Sequence, residues 1–108
     1  MRKFDENYIL LEDMANDGYF PEFLVEKVKE RILYVIRLLE GGETDMEMIQ
    51  NRLDEMTLAI NDLQEEFEEN DSEIETVARD SIAVTLEYIL QWFDIAIDVE
   101  TALRERDW

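Results

Sequence analysis

From Met46 to Phe67 the apolar residues Met46, Ile49, Leu53, Met56, Ile60, Leu63 and Phe67 recur at intervals of 3, 4, 3, 4, 3 and 4. That period follows one face of an α-helix and fits no strand, whose side chains change sides at every residue. It lasts three heptads, too few for a long coiled coil, so the helix must bury its seam against other helices of the same molecule. A fold for this chain therefore has to supply helical neighbours.

The flanking sequence supplies them. Upstream, Leu24, Val28, Ile32, Val35 and Leu39 form a second helical stripe, widened by Val25 and Ile36. Pro21 suits the first turn of that helix, where its missing N–H has no intrahelical partner, and Gly41-Gly42 stop it. Thr44-Asp45-Met46-Glu47 matches a capping box for the 46–67 helix, with Thr44 as the capping residue. Asn70 is placed to end that helix in a left-handed conformation, and Ser72-Glu73-Ile74-Glu75 reads as a second capping box opening a further helix. This last helix carries Ile74, Val77, Ala78, Ile82, Leu86, Ile89 and Phe93, broadened by Ala83, Leu90 and Trp92; so wide an apolar face predicts the most central helix.

The ends are shorter. Phe4, Tyr8, Leu11 and Met14 follow helical spacing, with Asp5 and Glu6 near the start, and predict a short first helix closed by Asn16, Asp17 and Gly18, where Gly18 can take positive φ. Within "DGYFPEFLVEKVK", Asp17 and Gly18 turn the chain, Tyr19 and Phe20 plug the bundle end, and Pro21 starts the next helix; the competing reading is a binding site. After Trp92, the alternation of Ile95, Ile97 and Val99 breaks the helical period and predicts a short extended link, then a small final helix capped by Asp98 and reaching about Glu105. An unbroken fourth helix is the alternative. With 108 residues, 46% of them hydrophobic, the chain has material for one core, and residues 1–108 read as one domain. The expected fold class is all-α: an antiparallel helical bundle of three long helices with a short N-terminal and a short C-terminal helix.

What the chain lacks restricts its chemistry. Cysteine and histidine are both absent, which removes disulfides, thiolate zinc sites, histidine-ligated haem and every Ser-His-Asp or Cys-His nucleophile. No cofactor is indicated. No apolar run approaches the roughly 18 residues needed to span a bilayer, and the acids of "FDENYILLEDM" interrupt any secretory leader, so a cytoplasmic protein is expected. Against 10 Lys and Arg stand 29 Asp and Glu, a formal net charge of -19. Such a charge repels phosphate backbones and anionic membrane surfaces and attracts basic proteins.

The segments "NYILLEDM", "DGYFPEFLVEKVK", "ENDSEIETVARDSIA" and the terminal "RDW" resemble a family of small acidic bacterial proteins classified only as a domain of unknown function. The resemblance covers nearly the whole chain and implies a bacterial origin and no established activity. It departs from the family pattern at Trp92-Phe93-Asp94, where a glycine-containing turn is expected.

The acids gather in one place. Asp62, Glu65, Glu66, Glu68, Glu69, Asp71, Glu73 and Glu75 follow one another with no Lys or Arg between. On a helix, Asp62 with Glu66 and Glu65 with Glu69 are like-charge i,i+4 pairs, each costing roughly 0.2–0.5 kcal/mol. The bland reading is a solvated face with helix-capping acids; the functional one is a docking surface for a basic bacterial or phage-related protein, which the chain would inhibit or neutralise without being an enzyme. Tyr19 and Trp108 are the candidate aromatic contacts for such a partner, though Trp108, with Arg106 and Asp107, also suits tacking the tail onto the bundle. Lys27, Lys29, Arg31 and Arg37 place four cations on the second helix, where charge balance among acidic neighbours accounts for them. A leftover heptad face also permits a homodimer.

Two other classes compete. Carboxylates three or four positions apart imitate a phosphate track, which would make the chain a nucleic-acid mimic. A magnesium-dependent hydrolase of phosphate-containing small molecules needs Glu-x-x-Glu on one helix and Glu-x-x-Asp on the next. Glu65 with Glu68 and Glu66 with Glu69 supply the first half, but the sole Glu-x-x-Asp, Glu68 with Asp71, lies at the end of the same helix. Di-iron bundles require the histidines that this chain lacks. The residues therefore indicate no metal site.

Overall fold

A computed structural model describes residues 2–108, and its core is a hairpin of two long helices. The elements are α1 (Glu12–Asn16), α2 (Glu22–Glu40), α3 (Met46–Glu69), α4 (Thr76–Trp92) and α5 (Val99–Ala102), with no strand among the described residues. The structure is thus the all-α bundle, three helices long and two short. Helices α2 and α3 pack against each other most extensively. Their antiparallel register shows in two cross-links: Lys27 Nζ to Glu66 at one end, and Arg52 Nη1 donating to the Tyr34 carbonyl further along. From α3 the heptad residues Ile49, Leu53, Met56, Ile60, Leu63 and Phe67 are buried, while Met46, at the seam's start, is exposed.

Helix α4 joins this hairpin through two wedges. On one flank the N-terminal segment runs antiparallel to it: Phe4 meets Trp92, Tyr8 stacks on Tyr88 at 4.0 Å, the Leu11 N–H donates to Thr85 Oγ1 and the Met14 N–H to Ser81 Oγ. On the other flank α5 packs against both α4 and α3, and Gln50 donates to the Thr101 carbonyl. Helix α4 is therefore not the most central helix that its wide apolar face predicts: α2 and α3 form the most extensive pair, and α4 is covered chiefly by the two wedges, the N-terminal segment and α5.

The N-terminal helix is shorter than its spacing predicts. Phe4, Leu11 and Met14 do face the core and Tyr8 stacks on Tyr88, but only residues 12–16 are helical. Asp5 does not act as a helix-start acid: its carboxylate accepts the Asn7 N–H and the Tyr88 hydroxyl, a side-chain turn that competes with helix formation. Leu11 then takes φ 56, ψ 38, which ends any helix arriving from its N-terminal side. Gly18 does not use its left-handed freedom; the turn is made instead by Asp17, whose carboxylate accepts the Tyr19 N–H.

Both expected capping boxes shift. Asp45, not Thr44, caps α3, accepting from the N–H groups of Glu47 and Met48. Ser72 does not cap α4, which begins at Thr76 after Glu75; its buried hydroxyl donates to the Tyr19 carbonyl and ties the two corners together. Pro21 stands immediately before α2 rather than inside it, and its carbonyl accepts the Leu24 and Val25 N–H groups.

All three long helices end alike. After α2, α3 and α4 the residues Gly42 (φ 90), Asp71 (φ 57) and Asp94 (φ 57) are left-handed. In each case the next residue donates back five positions, Glu43 to Leu38, Ser72 to Phe67 and Ile95 to Leu90, closing orphan carbonyls. The left-handed residue after α3 is thus Asp71, not Asn70. At Asp94 the backbone makes the turn for which the family pattern expects glycine, so α4 stops at Trp92 and the extended link and Asp98-capped α5 follow. Helix α5 ends at Ala102, short of Glu105, because Leu103 leaves the helical conformation as its C-cap.

Candidate functional site

The last three turns of α3 set out the acids. Asp62, Glu65 and Glu69 are exposed, with spacings that place them on one stripe, and Glu68 is exposed beside them. Asp71 and Glu73 continue the exposed charge through the turn to α4, while Glu75 is half-buried before Thr76. Glu66 differs from the rest. It faces α2 and pairs with Lys27 at 2.5 Å, the sole ion pair made by residues 62–75 among the described residues. Part of the like-charge strain on α3 is therefore relieved across the hairpin, at one position.

Tyr19 belongs to the same corner. Its carbonyl receives the Ser72 hydroxyl, and its neighbour Phe20 packs edge-on against Phe67 at the end of the α3 seam. The pair expected to plug the bundle end is therefore split: Phe20 is buried and does so, whereas Tyr19 is 45% exposed and stands in solvent against it. Two further apolar side chains complete the surface. Phe23, 49% exposed, lies one turn before Lys27 with the ammonium 5.8 Å from its ring, beside Glu66. Leu58, 48% exposed, stands one turn ahead of Asp62 on the acidic stripe. Neither stands out in the sequence. The signal for Leu58 was its position outside the heptad seam, and for Phe23 its place between the core residues Phe20 and Leu24.

Trp108 lies elsewhere. It packs half-buried against the core, in a cleft with Arg79 and Arg106, and the tail is held by Asn61, which accepts the Asp107 N–H and donates to the Glu105 carbonyl. The ring secures the tail; it does not stand out beside Tyr19 as an exposed anchor. Of the α2 cations, Lys29 pairs with Glu26 and Arg37 lies 5.8 Å over the Tyr34 ring.

The chemistry available at the acidic corner is that of separated charges. Among the described residues no three carboxylates converge closely enough to hold a metal ion, because acids at neighbouring positions of one helix diverge into solvent. Elsewhere two carboxyls in tertiary contacts lie below the usual carboxylate range, as does the α5-capping Asp98, lowered first by the Thr101 N–H. Asp5 is lowered first by the Tyr88 hydroxyl and then by the Asn7 N–H. At Asp54, burial pushes upward but is outweighed by hydrogen bonds from Arg104 and Gln50. Both belong to tertiary joints, one fastening the N-terminal segment and the other the C-terminal tail.

A model for a family of unknown function, DUF5713, matches residues 4–108. The chain belongs to that family. No curated protein and no solved structure matches it. As a DUF5713 member it carries the family match across all five helices, so the acidic corner, Tyr19 and the Trp108 tail all fall inside the matched region.

Proposed function

We propose that this DUF5713 protein is a non-enzymatic docking module that binds a basic protein through the α3–α4 corner and thereby inhibits or neutralises it. One observation carries the reading: an exposed run of acids, paired with a cation at one position only among the described residues, adjoins the exposed aromatic rings of Tyr19 and Phe23. The acids favour rapid encounter with a positive surface, and they confer most of the salt dependence. The aromatic rings supply desolvated contact area of the kind that dominates interface energies. Leu58 extends that area along the stripe.

The test separates the two contributions. Partners recovered from lysate at low salt are first identified and purified, and binding is then measured by surface plasmon resonance. Reversal of Glu65, Glu69 and Glu73 to Lys leaves the Lys27–Glu66 pair intact and is expected to lower the association rate at least tenfold at low salt, with unchanged circular dichroism. Tyr19→Ala and Phe23→Ala are expected to raise the dissociation rate by a similar factor. A basic partner whose binding ignores all of these changes would show that the corner is a solvated face only.

A further inference from the structure

A second site lies between the start of α4 and the C-terminal tail. There Arg79, Asp80, Glu100, Leu103, Arg106 and Trp108 line a cleft of about 260 Å³. Sites for drug-sized ligands run from roughly 300 to 1,000 Å³, so whatever fits here is smaller. Its charges are only partly used. Arg106 pairs with Glu100 at 3.1 Å, but Arg79 makes a single hydrogen bond, to Thr76 Oγ1, and has no carboxylate within ion-pair distance among the described residues, in a chain with 29 acids. Asp80 on the same wall is likewise without a cation among the described residues. The Trp108 indole Nε1–H is buried with no hydrogen-bond partner, the sole side-chain polar atom in that condition among the described residues. A buried donor left unmade costs free energy, and native structures almost always satisfy such groups.

We propose that this cleft binds a small zwitterionic carboxylate of free amino-acid size, its carboxylate held by the Arg79 guanidinium and, once the terminal ring turns to bring its buried N–H to the cleft, by the Trp108 indole, its ammonium by Asp80. The unused groups are complementary to such a molecule and to few others. A planar guanidinium matches two carboxylate oxygens, the lone acid matches an ammonium, and Leu103 with the indole ring offers a wall to an aliphatic side chain. A doubly charged phosphate finds its cation balanced by Asp80 and Glu100. This site is separate from the acidic corner, and its proof or failure leaves the docking proposal untouched.

The two tryptophans make the test direct, because each gives one indole N–H resonance in a ¹⁵N–¹H correlation spectrum. Trp92 Nε1 already donates to the Lys3 carbonyl, so its peak serves as the internal control; Trp92→Phe assigns the pair without disturbing the tail. The full chain is titrated with L-leucine, leucinamide, 4-methylpentanoate and inorganic phosphate. L-leucine is expected to move the Trp108 peak saturably while Trp92 stays in place, and leucinamide and 4-methylpentanoate to bind at least roughly tenfold more weakly, the loss of one charge-assisted contact each. Arg79→Ala is expected to weaken L-leucine by a similar factor with unchanged helicity. The proposal is overturned by a Trp108 peak that does not respond to L-leucine at millimolar concentration, by phosphate binding in its place, or by L-leucine binding that Arg79→Ala does not weaken.

Discussion

Leu11 holds φ 56 and ψ 38, a left-handed conformation that costs an ordinary side chain about 1–2 kcal/mol. It persists because Leu11 is wholly buried and its N–H meets Thr85 Oγ1 inside the core, two gains that outweigh the strain. The inward-facing hydroxyls of Ser81 and Thr85 thus have a purpose, which is to receive the backbone N–H groups of the N-terminal segment. Asp54 performs a comparable task at the other end. It accepts Arg104 Nε at 3.1 Å and Nη2 at 2.6 Å, and Gln50 Nε2 at 3.0 Å. Its carboxyl is held below its ordinary value of 3.8, so the stabilisation it gives is present above that pH and is lost as pH falls through the folded-state value. Asp54→Asn is therefore expected to cost about 1 kcal/mol at neutral pH. The gap between variant and parent in urea denaturation should close as the pH is taken well below the ordinary carboxylate value; a gap of constant size down to that acidity would show that the charge contributes nothing.

At the scale of elements, periodicity located the long helices and turn chemistry located their ends less well. The stripes of α2, α3 and α4 are local properties and survive folding as read. Caps are decided by single residues competing for the same N–H groups. Asp45 wins over Thr44 because a carboxylate one residue nearer the helix reaches both the Glu47 and Met48 N–H groups, while Glu43 accepts the Asp45 N–H and holds the entry strand of chain. Asp45→Ala is expected to destabilise the protein by about 1 kcal/mol, and Thr44→Ala by a few tenths at most. Thermal melts of the two variants decide it, and the reverse ranking would restore the Thr44 capping box. The three helix ends share one left-handed closure, filled by glycine once and by aspartate twice; aspartate tolerates that conformation better than most side chains but signals it weakly in a sequence.

For the whole molecule, the governing quantity is charge. A net charge of -19 is spread over a body of 40 × 28 × 18 Å, with six ion pairs among the described residues, all involving at least one side chain substantially exposed. Surface pairs of this kind contribute about 0–1 kcal/mol each, which leaves the self-repulsion largely unrelieved. Adding salt shortens the screening length from about 30 Å at 0.01 M to about 8 Å at 0.15 M, less than any dimension of the molecule. The melting temperature is therefore expected to rise by several degrees over that range in differential scanning calorimetry. A flat or falling profile would mean that the ion pairs already balance the repulsion. The same salt is expected to weaken docking at the acidic corner, so stability and binding respond to it in opposite directions.

The all-α class, the three long helices, the break after Trp92, the Asp98 cap and the position of the acidic run follow from local sequence, because each is a matter of spacing or residue type within a few turns of chain. Tertiary structure alone decided the rest. That Phe4 and Leu11 reach the core without forming a helix depends on Tyr88 and Thr85, more than seventy residues away along the chain. That Tyr19 stands beside the acids depends on Ser72 bonding to its carbonyl, and that Trp108 closes a cleft with Arg79 depends on Asn61 holding the tail. Local periodicity carries no information about pairs so distant, since such pairs form only when the core that satisfies both partners has closed around them.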